Sequence, residues 1–204
     1  MEKTILTLSD FRRATADLPE DAVLNVRSAG RDSGVGLREC GRCKLCCYIF
    51  RLDGEFWGGV KPGRTWCKYA KGTGCAMHDQ PRPDVCTGFK CMWLADETMP
   101  ESWRPDRSGV LLVSRGEAEL GGRYIPIVQV SEQYPGILDK SQFARSVFAT
   151  RAILMVNYAH EQNTRFRNLP GDKNGAPDEH VMKQILEYVD PGADFKHFAF
   201  RQVG

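Results

Sequence analysis

The sequence predicts an α+β fold: a loop-rich cysteine segment packed against a small antiparallel sheet with a few helices. Three observations carry this expectation. All eight cysteines of the 204-residue chain lie between Cys40 and Cys91, in a stretch dense in glycine, proline and aromatic residues. Two runs rich in Val, Ile and Leu follow it, Gly109 to Arg115 and Arg123 to Ser131. Apolar residues at helical spacing recur on both flanks of the chain.

Taken in order, Ser9-Asp10 reads as the cap of a short helix with Leu8, Phe11, Ala14 and Leu18 as its apolar face, closed by Pro19. Ser28 to Gly36 reads as a loop. Residues 1–36 are thus an N-terminal helix and lead-in loop, and 37–104 the cysteine segment. Residues 105–204 are an α+β remainder that forms one compact domain with that segment. Pro105 to Gly109, with Asp106, Arg107 and Ser108, reads as a polar turn. Gly116 to Gly122 joins the two apolar runs into an antiparallel hairpin, with Glu117 and Glu119 solvated in the connection. Pro126 marks an edge or a bulge. Asp139 is the expected cap of a helix through Thr150, with Phe143, Val147 and Phe148 on one face. Ile153 to Tyr158 reads as a buried strand, with continuous helix from Asp139 the alternative, and Thr164 to Leu169 as its partner. Gly171 to Gly175 reads as a loop. Asp178 opens a last helix with Val181, Ile185, Leu186 and Val189 as its stripe, ended by Pro191-Gly192.

Composition narrows the function classes. Apolar residues make up 42% and charged residues 26% of the chain, which excludes a mostly disordered protein. No stretch approaches the roughly 20 apolar residues of a membrane helix. A net charge of +2 argues against a nucleic-acid partner. The N-terminal residues lack a signal-peptide core, so the expected compartment is cytoplasmic. Thiols stay reduced there unless a metal takes them, and a chain of this length buries a core without covalent staples.

The first cysteine cluster is Cys40-Gly-Arg-Cys43-Lys-Leu-Cys46-Cys47. Two-residue gaps let neighbouring thiolates turn toward one ion, and the spacing recurs in zinc and iron–sulfur sites for that reason. Adjacent side chains diverge, so Cys43 and Cys46 are expected as indispensable ligands while Cys46 and Cys47 serve different ions or environments. Cys67, Cys75, Cys86 and Cys91 follow, and all eight cysteines are candidate metal ligands. Gly72 and Gly74 allow a turn, and Pro81-Arg82-Pro83 stiffens the approach to Cys86. Long regular elements are precluded here, which makes a metal the expected source of order. Trp57, Trp66, Trp93 and Trp103, every tryptophan in the chain, are expected to screen the thiolates from water. His78 stands three residues after Cys75 but is expected to pack or hydrogen-bond rather than ligate. His160, His180 and His197 are expected at the surface. Arg82 is a candidate donor to a thiolate, with a plain surface arginine the alternative.

The irregular spacing of the second four cysteines lacks the paired knuckles of a zinc ribbon. It favours an iron–sulfur cluster, [4Fe–4S], with zinc as the alternative cofactor.

The pattern resembles the CxxCxxCC cysteine-cluster family, the YkgJ-type zinc- or iron-chelating proteins. Cys40, Cys43, Cys46 and Cys47 match its naming motif without a gap. Cys67, Cys75-Ala-Met-His78, Arg82-Pro83, Cys86 and Phe89-Lys-Cys91 follow in similar order. The likeness covers roughly residues 37 to 94. Thr87 stands where many relatives have Arg, and the Cys75 to Arg82 loop is a residue longer. The resemblance implies metal binding by these cysteines. The related flagellin lysine methylases extend the implication to iron–sulfur methyl transfer on a protein.

No Gly-x-Ser-x-Gly, phosphate loop or dinucleotide fingerprint is present, and no catalytic residue is assigned. The sequence therefore points to a metal-binding protein whose thiolate centre serves redox or protein- or peptide-modification chemistry. The rival is a zinc-stabilised protein interaction module without catalysis. Whether the chain is an enzyme stays open at this point.

Overall fold

The computed structural model describes residues 25–27, 38–120, 123–140, 147, 152–160, 164–167 and 185. Its elements begin with β1 (Asn25–Arg27), α1 (Leu45–Ile49), β2 (Leu52–Gly54), β3 (Gly59–Lys61), β4 (Ala70–Lys71) and β5 (Gly74–Cys75). Then come α2 (Asp84–Thr87), α3 (Met92–Ala95), α4 (Pro105–Ser108), β6 (Val110–Leu120) and β7 (Arg123–Glu132). The helix α5 (Ile137–Lys140) and the strands β8 (Ile153–Asn157) and β9 (Thr164–Arg167) complete them. Short 3₁₀ turns lie at Glu55–Trp57 and Glu101–Trp103. The class is α+β.

The sheet follows from the apolar runs. β6 and β7 pair antiparallel from Val110↔Glu132 to Leu120↔Arg123, so only two residues connect them. The hairpin is longer than the sequence suggested. The chain does not leave the ladder at Gly116 but passes a bulge between Ser114 and Gly116, where Gly116 takes φ 123°, and continues as strand. Glu117 and Glu119 therefore lie in β6, opposite Pro126 and Tyr124, rather than in a solvated connection. Pro126 precedes Ile127, the first β7 residue paired with β8, so its missing N–H falls where β7 has a neighbour on one side only.

β8 is the expected buried strand. Ile153, Leu154, Met155 and Val156 are buried in succession, as a strand covered on both faces requires. Its partners are β9, antiparallel, and β7, which runs parallel to it. The five-stranded order is β1-β6-β7-β8-β9, antiparallel except for that one pair. Two features differ from expectation. β1 joins the sheet edge through β6, with Arg27 opposite Glu117. α5 starts at Ile137, so Asp139 lies within its first turn rather than ahead of it.

The cap comes instead from the core. Glu132, 0% exposed, accepts the Leu138 amide at 3.2 Å on one carboxylate oxygen and the Ala159 amide at 2.7 Å on the other. Pro105 to Gly109 is likewise not a plain turn but α4, started by Pro105 and stopped by Gly109 at φ 70°. Val147 and Ile185 are helical and buried. The N-terminal helix, the loop 28–36, Phe143, Phe148, the Gly171 to Gly175 loop and the rest of the Asp178 helix lie outside the described residues.

One apolar cluster joins cysteine segment and sheet. It contains Leu45 and Ile49 of α1, Cys91 to Leu94 around α3, and Met99, together with Val110 to Val113, Val128, Val130, Leu154 and Val156 of the strands. Both ends of the cysteine segment are thus anchored in a packed core. Its middle, from Arg51 to Gly88, holds elements of at most four residues and few buried side chains.

Candidate metal centre

The Cys40 to Cys47 motif is built as one turn followed by one short helix. The Cys43 amide donates to the Cys40 carbonyl at 3.0 Å, with Gly41 at φ 53° to close the turn. α1 then carries Cys46 and Cys47. Cys40, Cys43 and Cys46 recur every three residues, a spacing that keeps them on one side of such a path. Cys91 arrives from the far end of the segment, immediately before α3, and its carbonyl accepts the Leu94 and Ala95 amides at 3.0 Å. Cys43, Cys46 and Cys91 all touch the shared apolar cluster.

Backbone contacts link Cys47, Cys67 and the ribbon that carries Cys75. The Cys67 amide donates to the Cys47 carbonyl at 3.2 Å. The Ala70 amide donates to the Cys67 carbonyl at 2.9 Å, and Ala70 pairs with Cys75 across the β4–β5 ribbon. Cys86 sits in α2, which Pro83 opens. All eight thiols are free, and no disulfide links them.

The sulfurs feel one another's charge, and Cys40 feels both Cys43 and Cys47. Cys91 feels the charges of Cys40 and Cys43, and Cys46 feels those of Cys47, Cys40 and Cys43. Cys86 feels those of Cys47, Cys67 and Cys75. Cys46 and Cys47 touch: the Cys46 thiol donates to Cys47 and holds its pKa below the usual thiol value, helped by the cations Lys61, Lys44 and Arg82. The same bond holds the Cys46 proton in place and raises its pKa. Burial raises Cys40, Cys43 and Cys86, and pushes Cys91 up to about 12. Among the described residues, no three His, Cys, Asp or Glu side chains already converge to hold an ion. Protonated thiols gain nothing by converging and thiolates repel, so a bound cation would itself supply the attraction.

The cysteines differ in what surrounds them. Cys43 accepts hydrogen bonds from the backbone amides of Leu45 and Asp106, and Cys91 from those of Leu94 and Trp93. Amide donors aimed at sulfur stabilise the thiolate form and tune a bound metal. Around Cys47 the compensation is cationic. Lys61 is 6% exposed; its ammonium donates to the carbonyls of Phe50 and Pro62 and lies within reach of Cys67, Cys47 and Cys46. Arg82 is not a plain surface arginine. It is half-buried, its Nε is buried without a hydrogen-bond partner, and its charge reaches Cys40, Cys47 and Cys86. A buried donor with no acceptor fits a site that carries negative charge when filled. This donor set of soft thiolates suits zinc and iron–sulfur centres alike.

Other expectations resolve differently. Trp93 is buried, with the Arg38 guanidinium 4.5 Å from its ring centre, and Trp57 and Trp103 are half-buried. Trp66 is 47% exposed, lies against Tyr48 with ring centres 5.0 Å apart, and so screens little. His78 is exposed and meets Asp79 at 3.1 Å, a surface contact. His160 is exposed, with Nδ1 3.8 Å from the Glu132 carboxylate. His180 and His197 lie outside the described residues.

Three supporting residues gave no signal in the sequence. Lys61 is one. Arg38 is the second, and it gathers the carbonyls of Trp93, Asp96, Glu97 and Met99 at 2.7–3.1 Å, which fixes the chain after Cys91. Arg64 is the third. It takes φ 57° and donates to the carbonyls of Glu132 at 2.6 Å and Asn157 at 3.0 Å, tying the cysteine segment to β7 and β8.

No protein-family model, no curated protein and no solved structure matches this chain. Among the described residues no helix is long and apolar enough to cross a membrane.

Proposed function

We propose that this chain is a metal-binding protein of the CxxCxxCC type, whose cysteines hold a thiolate-ligated iron–sulfur centre of the [4Fe–4S] kind. The observation that carries the reading is that all eight cysteines are free thiols carried on six short elements and turns between Cys40 and Cys91, with the Cys46 and Cys47 thiols in contact. Amide and cationic donors aimed at these sulfurs support it. The exposed Cys40 leaves one edge of the group open to solvent, which supports redox or peptide-modification chemistry at that edge. A cytoplasmic setting belongs to the same reading, since the thiols must stay reduced.

A second reading is a zinc-stabilised interaction module. It is favoured by the thin packing of residues 51–88, where metal ligation would serve as the folding energy that burial does not supply. Anaerobic purification followed by iron, acid-labile sulfide and zinc analysis separates the two. Brown protein with sulfide in proportion to iron supports the first. Colourless protein rich in zinc and free of sulfide replaces it with the second. Protein that binds neither overturns both.

A further inference from the structure

We propose that the exposed Trp66, with Lys44, Lys68 and Lys71 around it, is a docking site for an acidic segment of a partner protein, anchored by one apolar side chain. The inference goes beyond the metal-binding reading and does not depend on which metal the thiols take.

The aromatic part of the site comes from α1 and the loop after β3. Trp66 is 47% exposed, whereas Trp93 is buried and Trp57 and Trp103 are half-buried. An indole is a large apolar surface, and leaving it half in water is a standing cost that a partner would remove. The ring is also held in place. Tyr48 of α1 lies against it with ring centres 5.0 Å apart, and the amide of Cys67, the next residue, donates to the Cys47 carbonyl at 3.2 Å. A ring already fixed on one side loses little freedom when a partner covers the other, which is the character of a binding hot spot. The same backbone bond sets the aromatic pair directly beside Cys47 and Cys67 in the chain, so a docked segment would lie next to the thiols.

The charge comes from the same stretch. From Cys40 to Cys75 there are seven Lys and Arg against two acidic residues, Asp53 and Glu55, although the whole chain is nearly neutral. Of the seven, Lys61 and Arg64 turn inward to backbone carbonyls, and Arg51 pairs with Asp53 at 3.3 Å. Lys44 stands 5.9 Å from the Trp66 ring centre and donates to the Gly72 carbonyl at 2.7 Å, which brings the β4–β5 turn up to the ring. The exposed Lys71 enters that turn, and the exposed Lys68 follows Trp66 by two residues. Three ammonium groups around one ring suit carboxylates flanking a single apolar side chain. A nucleic-acid strand would instead stack successive bases on several open rings, and here the neighbouring Tyr48 and Tyr69 are half-buried.

The test uses a short fluorescein-labelled peptide of Glu and Asp around a central Phe-Leu pair, titrated with the full-length chain as purified and followed by anisotropy. Binding should saturate, and weaken as salt is raised. Trp66→Ala should weaken it about tenfold, the effect of losing an aromatic anchor. Lys68→Glu/Lys71→Glu should weaken it by about as much and flatten the salt dependence. A peptide with Gln for Glu and Asn for Asp should bind the intact chain about tenfold more weakly. The three substituted side chains are exposed, and the lysine variant, which leaves Tyr48 and Trp66 in contact, stands by itself if Trp66→Ala disturbs the fold. No binding by the intact chain, equal binding of the acidic and amide peptides, or unchanged affinity in either variant overturns the proposal. Tighter binding of a single-stranded oligodeoxythymidine overturns it in favour of nucleic acid. Self-association of the chain that is lost in the same variants overturns it in favour of a second copy. Metal content measured in the same preparations keeps a failure of docking apart from a failure of metal binding.

Discussion

Replacing Arg64 tests whether the cysteine segment and the sheet form one cooperative body. The guanidinium reaches from the loop after β3 to the Glu132 and Asn157 carbonyls, at 2.6 and 3.0 Å. Hydrogen bonds to a charged donor contribute about 1.5–3 kcal/mol each. The side chain is only half-buried, so the lower end applies and Arg64→Ala should cost about 3 kcal/mol. The backbone adds a second, separable effect. At φ 57° a residue with a Cβ bears about 1–2 kcal/mol of strain that glycine does not, while glycine returns about half of that as unfolded-state entropy. Arg64→Gly should therefore be about 0.5–1 kcal/mol more stable than Arg64→Ala, though still below the parent. Urea unfolding of the metal-free chain, followed by tryptophan fluorescence, measures both differences. An alanine variant within about 0.5 kcal/mol of the parent would refute the tie between segment and sheet. An alanine variant more stable than the glycine one would refute the strain argument.

Glu132→Gln should destabilise by about 2–4 kcal/mol, because an amide group replaces an oxygen that accepts the Leu138 or Ala159 amide inside the core, and denaturant midpoints will read it. The Cys91 thiol, raised by burial from 9.0 to about 12, binds its proton more tightly folded than unfolded. The metal-free fold should hold that contribution below pH 9 and lose it as pH rises toward 12, which thermal unfolding across that range checks. Metal affinity should change in the opposite sense, strengthening as pH rises, by about 1.4 kcal/mol per pH unit for each proton expelled; competition with a chelator of known pH response measures this. Stripping the metal should expose residues 51–88 to protease well before β6 to β8, and equal resistance in the two regions would count against metal as the segment's source of order.

The parts of the fold that local pattern controls were readable. The hairpin came from two apolar runs, and β8 from the unbroken Ile153-Leu-Met-Val156 run, which suits a strand buried on both faces although a helix was the alternative. What pattern could not supply was partnership at a distance. The parallel pairing of β7 with β8 depends on the crossover through residues 133–152, and the β1–β6 edge on three residues too short to signal a strand. Glycine misled at Gly116, where it marks a bulge inside a strand rather than the strand's end. Asp139 resembled a cap because nothing local says that the buried Glu132 carboxylate takes the Leu138 amide of α5. Among the cysteines, the density and spacing were legible in the sequence, while the contact of Cys46 with Cys47 and the burial of Cys67 and Cys91 were not. Their supporting cations were not legible either, because Lys61 and Arg64 look like any surface base until the chain folds around them.

The position of the cysteine segment within the sheet has a kinetic consequence. Residues 28–109 lie between two strands that are immediate neighbours, so the β1–β6 ladder closes a long loop before it gains three residue pairs. The cost of such closure rises only as the logarithm of loop length, about 0.6 kcal/mol per doubling, but the search for a distant partner is slow. Strand β1 should therefore dock late, after the hairpin has already formed. An internal crosslink made by ions at the thiols would shorten that loop while the chain is still searching. Metal supply during synthesis would then set how fast the last sheet edge is covered, and how long β6 stays open to pairing with another molecule.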